Sequence, residues 1–151
     1  MSKIPNRKRL IQTLPHIWDV NDLLECIKSH GDKTVYKYFE GGKVKEMTYA
    51  EFYEMIHKVA AAFDKLGLVG KRVAVIGDAS PQWLATYIGA LASGTIIIPM
   101  DKELALPEIE KFLTMVEADG IVYSKSFNEK FVTTINSHPT LKHFIPINAD
   151  Y

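Results

Sequence analysis

The chain is poor in the features that mark most specialised sequences. It has one cysteine, Cys26, in 151 residues, so an internal disulfide and any metal site needing two thiolates are excluded. It has no net charge, because 18 Lys and Arg offset 18 Asp and Glu; a bulk electrostatic attraction to nucleic acid or anionic lipid is therefore absent. After "RVAVIG" a single glycine, Gly77, stands where a dinucleotide fingerprint needs three. Metal-ligand spacings and a Ser-His-Asp set are lacking as well. The opening MSKIPNRKRL is basic without the apolar run of a secretory signal, and the expectation is a cytoplasmic protein. One long uncharged run does exist, "WLATYIGALASGTIIIPM" from Trp83 to Met100, close to the ~20 apolar residues of a membrane span. Ser93-Gly94 divide it into a short helix and a β-branched strand. Neither half could satisfy its backbone across a bilayer, so the run predicts buried core and no transmembrane segment.

What is present fits an ordinary globular domain, with 47% hydrophobic and 24% charged residues. The first 18 residues hold Lys3, Arg7, Lys8 and Arg9, then Pro15 and Trp18. They read as an arm over the surface, with phosphate or membrane contact as the alternative. "DVNDLLECIKSHG" predicts a short helix burying Leu23, Leu24 and Ile27 and stopped by Gly31. Residues 1–32 are thus arm and short helix, and 33–151 form the rest. "TVYKYFEGGKVKEMTY" has the form of a β-hairpin turning at Gly41-Gly42. Its aromatics and lysines suit a hairpin with one packed face, and no motif argues for nucleic acid. Thr48 to Glu51 is a capping box opening a helix with Phe52, Ile56, Val59, Phe63 and Leu66 as one apolar stripe. His57 beside it predicts a partly buried structural histidine.

From residue 71 strands and helices alternate. "RVAVIG" predicts a strand covered on both faces. Ser80 and Pro81 predict a helix start, with Ser80 as cap. "TIIIPM", "DGIVYS" and "KHFIPIN" read as further strands. "LPEIEKFLTMVEA" reads as a helix with Ile109, Phe112, Leu113 and Val116 inward, and "SFNE" at 126–129 as a second capping box before Phe131 and Ile135. The fold class expected is α/β: an open, mainly parallel sheet with helices on both faces, after a helical arm and a hairpin. Ligands of such sheets bind beyond the carboxyl ends of strands. Those ends carry Asp78 and Ser80, Asp101, and Ser124 with Lys125. A stand-alone binding or phospho-receiver-like module using Asp78, Asp101 and Lys125 is one reading. The other makes Asp78 and Ser80 helix caps and Asp101 the start of a loop.

Residues 34–124 resemble the beginning of the adenylate-forming, AMP-binding superfamily. Thr48-Tyr49-Ala50-Glu51-Phe52 is similar to the family's Thr-Tyr-x-Glu-Leu helix start. Leu91-Ala92-Ser93-Gly94 through Pro99-Met100-Asp101 is similar to its Leu-x-Ala-Gly segment and following Pro-hydrophobic-Asp. Between them, "VGKRVAVIGDASPQW" resembles the family's Gly-Asp-Arg-Val strand and Asn-Ser-x-x-Trp helix start. Phe52, Ser93, Lys71 and Ala79 depart from the pattern. Trp83 and the helical "DVNDLL" point toward the acyl-CoA synthetase branch.

The resemblance implies the N-terminal subdomain of an adenylation domain. The parent would be an ATP-dependent, AMP-forming acid–thiol ligase that activates a carboxylate, a fatty acid by this branch, as acyl-AMP and passes it to coenzyme A. ATP, Mg²⁺ and coenzyme A are implied for the whole enzyme and none for these residues. The family's Ser/Thr/Gly-rich phosphate loop, its Thr-Glu metal motif, its ribose-binding Asp and its late lysine have no counterparts. Hence no catalytic, cofactor-binding or metal residue carries over. The expectation is an incomplete part of a larger adenylation domain, inactive alone, whose partner is the remainder of the enzyme. Apolar surface meant for that remainder would favour self-association.

Overall fold

The computed structural model describes residues 15–127 and 129–147. Asp19 begins the first helix, α1 (Val20–Ser29), its carboxylate accepting from the Asn21 and Asp22 amides. Leu24 and Ile27 are buried, while Leu23 is half-buried. Strands β1 (Thr34–Glu40) and β2 (Lys43–Thr48) form the expected hairpin, pairing Glu40 with Lys43 across the turn. Gly41 and Gly42 take φ of 59° and 75°, the positive values that a tight two-residue turn requires. Tyr36 meets Phe52 edge-on at 5.1 Å, whereas Phe39 is exposed. One face of the hairpin is packed.

Helix α2 (Tyr49–Lys65) opens on the Thr48 box. The Thr48 hydroxyl accepts from the Glu51 amide at 3.2 Å, and the Glu51 carboxylate accepts from the Thr48 amide at 2.7 Å. The bond from the Thr48 amide, with a second from the Thr48 hydroxyl to Glu51 Oε2 at 3.0 Å, holds the Glu51 carboxyl below the usual carboxylate range. Phe52, Ile56, Val59 and Phe63 are buried, but Leu66 is exposed. It is the helix's C-terminal cap residue, and Leu68, two residues on, is the leucine that fills the core. His57 is exposed and lies against Tyr53 at 4.3 Å, so its expected partial burial does not occur.

The remaining elements are β3 (Arg72–Ile76), α3 (Pro81–Ser93), β4 (Ile96–Met100), α4 (Leu106–Met115), β5 (Gly120–Ser124), α5 (Glu129–Asn136) and β6 (His143–Ile147). The four strands form one sheet in the order β4-β3-β5-β6, every neighbouring pair parallel. Alternation along the strands divides the interior. Val73, Val75 and Val122 face Val59 and Phe63 of α2 and Ala90 of α3. Ala74, Ile76 and Ile121 face Ile109 and Leu113 of α4 and Phe131 and Ile135 of α5. A third cluster joins α1 and the hairpin to the outer side of the α2–α3 layer through Leu24, Met47, Phe52, Ile56 and Ile88. The α/β architecture with helices on both faces is as expected, and among the described residues no helix is long and apolar enough to cross a membrane.

Two further local expectations change, and one buried residue had no expectation attached. Phe112 is 42% exposed, because only Ile109 and Leu113 of α4 point squarely at the sheet. Helix α5 starts at Glu129, so Ser126 does not cap it; the Ser126 hydroxyl pairs with Ser124 Oγ at 2.8 Å. Asn128, in the middle of that expected box, lies outside the described residues. His138 was not anticipated at all. It is buried, with Nε2 3.1 Å from Thr114 Oγ1 and 3.3 Å from the Glu110 carbonyl, and Nδ1 3.1 Å from Thr140 Oγ1. It clamps α4 to the turn before β6.

Helices α2 and α3 pack closely at Gly89. A Cβ on Gly89 would lie 2.8 Å from Val59 Cβ and 2.9 Å from the Ile56 carbonyl oxygen. Gly89→Ala should therefore destabilise the chain by roughly 1–3 kcal/mol through overpacking, despite the gain of about 1 kcal/mol in helix propensity. Urea unfolding checks this, and a stabilised variant would contradict the packing described.

Candidate functional site

Strand order places the candidate site. The chain leaves β3 for β4 on one side and returns to β5 on the other, so the carboxyl ends of β3 and β5 flank a topological switch point. The two ends converge closely. A Cβ on Gly77 would come within 2.7 Å of Ser124 Oγ and 3.2 Å of the Ser124 amide nitrogen, and glycine is required there for proximity rather than for its backbone angle. The Asp78 amide then donates to Ser124 Oγ at 3.2 Å.

The loop after β4 completes the rim. Asp101 Oδ1 accepts from the Glu103 amide at 3.0 Å, and the Asp101 carbonyl from the Leu104 amide at 3.3 Å. This tight turn swings Lys102 toward Asp78, and its Nζ donates to Asp78 Oδ1 at 2.8 Å. Glu103 lies 3.9 Å from the same ammonium. Hydrogen bonds from Lys102 and Ser126 hold the Asp78 carboxyl below its ordinary range, and the same bond with Asp78 holds Lys102 above its own. Ser80 caps α3, its Oγ accepting from the Trp83 amide at 3.0 Å.

Asp78, Asp101 and Lys125 do share this rim, as expected. The structure does not join them into a reaction centre. Asp78 is engaged by Lys102, Asp101 is spent on its own turn, and Lys125 is exposed and bonds to neither among the described residues. Asp78 is not a helix cap; Ser80 alone has that role. Lys102 is the rim residue that sequence reasoning missed. Its signal was the Asp-Lys pair directly after the strand, but its partner depends on β4 lying beside β3. Among the described residues, no three His, Cys, Asp or Glu side chains group to hold a metal ion. On the rim Asp78 is paired with Lys102, Asp101 with the Glu103 amide, and Ser124 with Ser126. Among the described residues one buried side-chain donor is left over: the Trp83 indole Nε1 finds no hydrogen-bond partner there, and its ring stacks on Tyr87 at 5.8 Å. An open cleft of about 630 Å³ lies elsewhere, between the hairpin and α2, lined by Tyr38, Met47, Tyr53 and Met55.

Residues 23–148 match the AMP-binding enzyme family. The chain belongs to that family. It is 33% identical over 119 residues to a crotonobetaine/carnitine–CoA ligase of Salmonella paratyphi A, a match spanning 77% of this chain and 22% of that protein. It is 26% identical over 128 residues to the polyketide synthase-nonribosomal peptide synthetase ffsA of Aspergillus flavipes, covering 84% of this chain and 3% of that one. Among solved structures, the N-terminal domain of FACL13 from Mycobacterium tuberculosis superposes with a TM-score of 0.73 at 20% identity, over 86% of this chain and 33% of that one. Coronafacic acid ligase from Pectobacterium brasiliense gives 0.77 at 15% identity, over 88% and 26%. These superpositions show the fold. The chain spans about a fifth of the curated CoA ligase, and what it matches is the N-terminal portion of acyl-CoA synthetase structures.

The rim pair has a definite pH signature. Folding lowers the Asp78 pKa, so the pair adds stability above the pKa that aspartate has in the unfolded chain, and this is lost as pH falls through the lowered value. Lys102 is raised, so its share persists at neutral pH and fades only as pH rises through that raised value. Both side chains are about half exposed, and the effect is small. Lys102→Met should lower the urea midpoint slightly at neutral pH, with the gap closing as acid protonates Asp78. A gap that widens in acid would contradict the pairing.

Proposed function

We propose that this chain is the opening region of an ATP-dependent, AMP-forming carboxylate–CoA ligase. Residues 1–32 serve as arm and first helix, and 33–151 as an incomplete part of a larger adenylation domain. In the overall reaction a substrate carboxylate displaces pyrophosphate from ATP, and the thiol of coenzyme A then displaces AMP from the acyl group. A cytoplasmic enzyme acting on a fatty acid is the substrate class that the acyl-CoA synthetase resemblance favours.

The observation that carries this reading is the joint placement of two family segments on one frame. The Thr48–Glu51 box starts α2, the Leu91–Asp101 segment runs from α3 through β4 to the rim, and both belong to the stretch matching the family. Identity to a CoA ligase, at 33%, exceeds that to the peptide synthetase, at 26%, which favours coenzyme A as the thiol.

On this reading ATP and Mg²⁺ are held outside the residues described. Those residues hold no grouped metal ligands, and the rim acid Asp78 is already engaged by Lys102. Nucleotide chemistry is accordingly assigned to the remainder of the enzyme, and this region's role is mechanical, walling the substrate cleft. The unpartnered Trp83 N–H and the exposed Val69, Leu91 and Ile96 about the α3–β4 corner are surfaces for that remainder. In the isolated chain the same apolar side chains favour self-association.

An enzyme containing these residues within a complete adenylation domain should form acyl-CoA from a fatty acid, coenzyme A and Mg-ATP. AMP and pyrophosphate should appear in amounts equal to the thioester, read by chromatography of the nucleotides. Release of ADP, or turnover without any carboxylate, would refute the assignment.

A further inference from the structure

The two outer strands of the parallel sheet differ in how they are covered. Strand β4, Ile-Ile-Ile-Pro-Met, is as apolar as its inner neighbour β3. Yet Val73 to Ile76 of β3 are wholly buried, while every residue of β4 is half-buried or exposed. Large apolar side chains gather at this edge: Val69 is 50% exposed, Leu91 41% and Ile96 51%. Val69 Cγ1 lies 3.6 Å from where a Cβ on Gly94 would stand, between α3 and β4. At β6, the other edge, Phe144 and Ile145 are half-buried and packed against the two cores. An uncharged, uncovered edge is one that folded proteins blunt or cover.

The ladder shows which backbone groups of β4 are open. The Ile96 amide donates to the Lys71 carbonyl at 2.9 Å, and the register pairs Arg72 with Ile96, Ala74 with Ile98 and Ile76 with Met100. Successive residues of a strand turn their N–H and C=O to opposite neighbours. Ile96, Ile98 and Met100 therefore bond toward β3, and Ile97 and Pro99 turn outward. Among the described residues no strand lies beyond β4. Pro99 has no N–H to offer there, whereas Ile97 has both an N–H and a carbonyl. The buried Trp83 Nε1, which packs against the same core cluster as Ile97, has no acceptor among the described residues. A buried donor left unmet is costly, and this one lies at the same edge.

We infer, on the reading of this chain as part of a larger adenylation domain, that the edge of β4 receives one further short strand from the rest of that domain, hydrogen-bonded through the Ile97 N–H and carbonyl. This chain accounts for 22% of the CoA ligase it matches and 33% of the N-terminal domain of FACL13, so such proteins hold far more chain than is present here. The incoming strand is apolar, because it meets Leu91 of α3 on one face of the sheet and Ile96 on the other. It is short, because pairing stops at Pro99, which offers a carbonyl alone. A second copy of this chain is the poorer occupant. Two β4 edges laid together would bring a proline into both strands and leave fewer bonds than an unbroken strand makes.

Hydrogen–deuterium exchange resolved to single amides tests this, on the dilute 151-residue chain and on an enzyme containing these residues within a complete adenylation domain. The Ile98 amide, bonded toward β3, should be protected in both and serves as the internal reference. The Ile97 amide should exchange freely in the chain and about a hundredfold or more slower in the complete enzyme. Exchange of Ile97 at one rate in both, fast or slow, would overturn the inference. Protection that rises with the concentration of the isolated chain, and gains nothing in the complete enzyme, would overturn it in favour of a second copy. Cover without pairing would overturn it too, seen as an Ile97 N–H with no carbonyl acceptor in a crystal structure of the complete enzyme. If the isolated chain does not stay in solution, Ile97 against Ile98 within the complete enzyme decides: comparable protection supports the pairing, and free exchange at Ile97 sinks it. The chemistry is read separately. A complete enzyme that protects Ile97 but forms no acyl-CoA leaves the pairing standing and refutes the ligase reading, and the converse result does the opposite.

Discussion

The fold depends on the contact between α2 and α3. Helix α3, PQWLATYIGALAS, contains no charged residue and so has no side made for water. It must be covered by the sheet on one side and by α2 on the other. Gly89 lets the two helices approach until no Cβ would fit between α3 and the Ile56–Val59 turn of α2. Thr86, at that buried level, turns its hydroxyl back to the Gln82 carbonyl at 2.8 Å, so that no polar group is stranded. The stripe on α2 then serves two cores, with Val59 and Phe63 toward the sheet and Phe52 and Ile56 toward α1 and the hairpin. Everything outside the parallel sheet on that side is seated on this helix pair.

The rim follows from the same arrangement. With α3 fixed by its cap at Ser80, the β3–α3 turn runs over the end of β5, and Gly77 allows the chain to pass Ser124. The neighbouring β4 loop brings Lys102 to Asp78. The outcome is a closed set of hydrogen bonds at the place where an open α/β sheet ordinarily takes a ligand. Such a set positions the loop.

Elements set by local chemistry were legible in the sequence. The Thr48–Glu51 box, the Gly41-Gly42 turn, the Ser80-Pro81 start and the Ser93-Gly94 stop each need only a few adjacent residues, and the helix–strand division of the uncharged run followed from them. The family resemblance likewise rested on segments whose spacing is read directly. What escaped depends on contacts distant in the chain. Lys102 finds Asp78 only because β4 neighbours β3, and the order of strands in a sheet has no local signature. Phe112 kept the helical period yet stays exposed, since α4 is short and lays only Ile109 and Leu113 on the sheet. His138 gave no periodic signal, because its burial comes from α4 packing beside the turn before β6. Ser126 matched a capping pattern but found a nearer partner in Ser124.

On the function proposed, this chain is part of the frame of an adenylating enzyme whose nucleotide chemistry lies elsewhere. Calorimetric titration of the 151-residue chain with Mg-ATP tests that division most directly. The expected result is no binding at millimolar concentration, since Asp78 is engaged by Lys102 and Asp101 by its own turn, and the described residues offer no grouped metal ligands. Saturable, Mg²⁺-dependent heat that disappears in Asp78→Asn would contradict it, and would make the switch-point rim a nucleotide site.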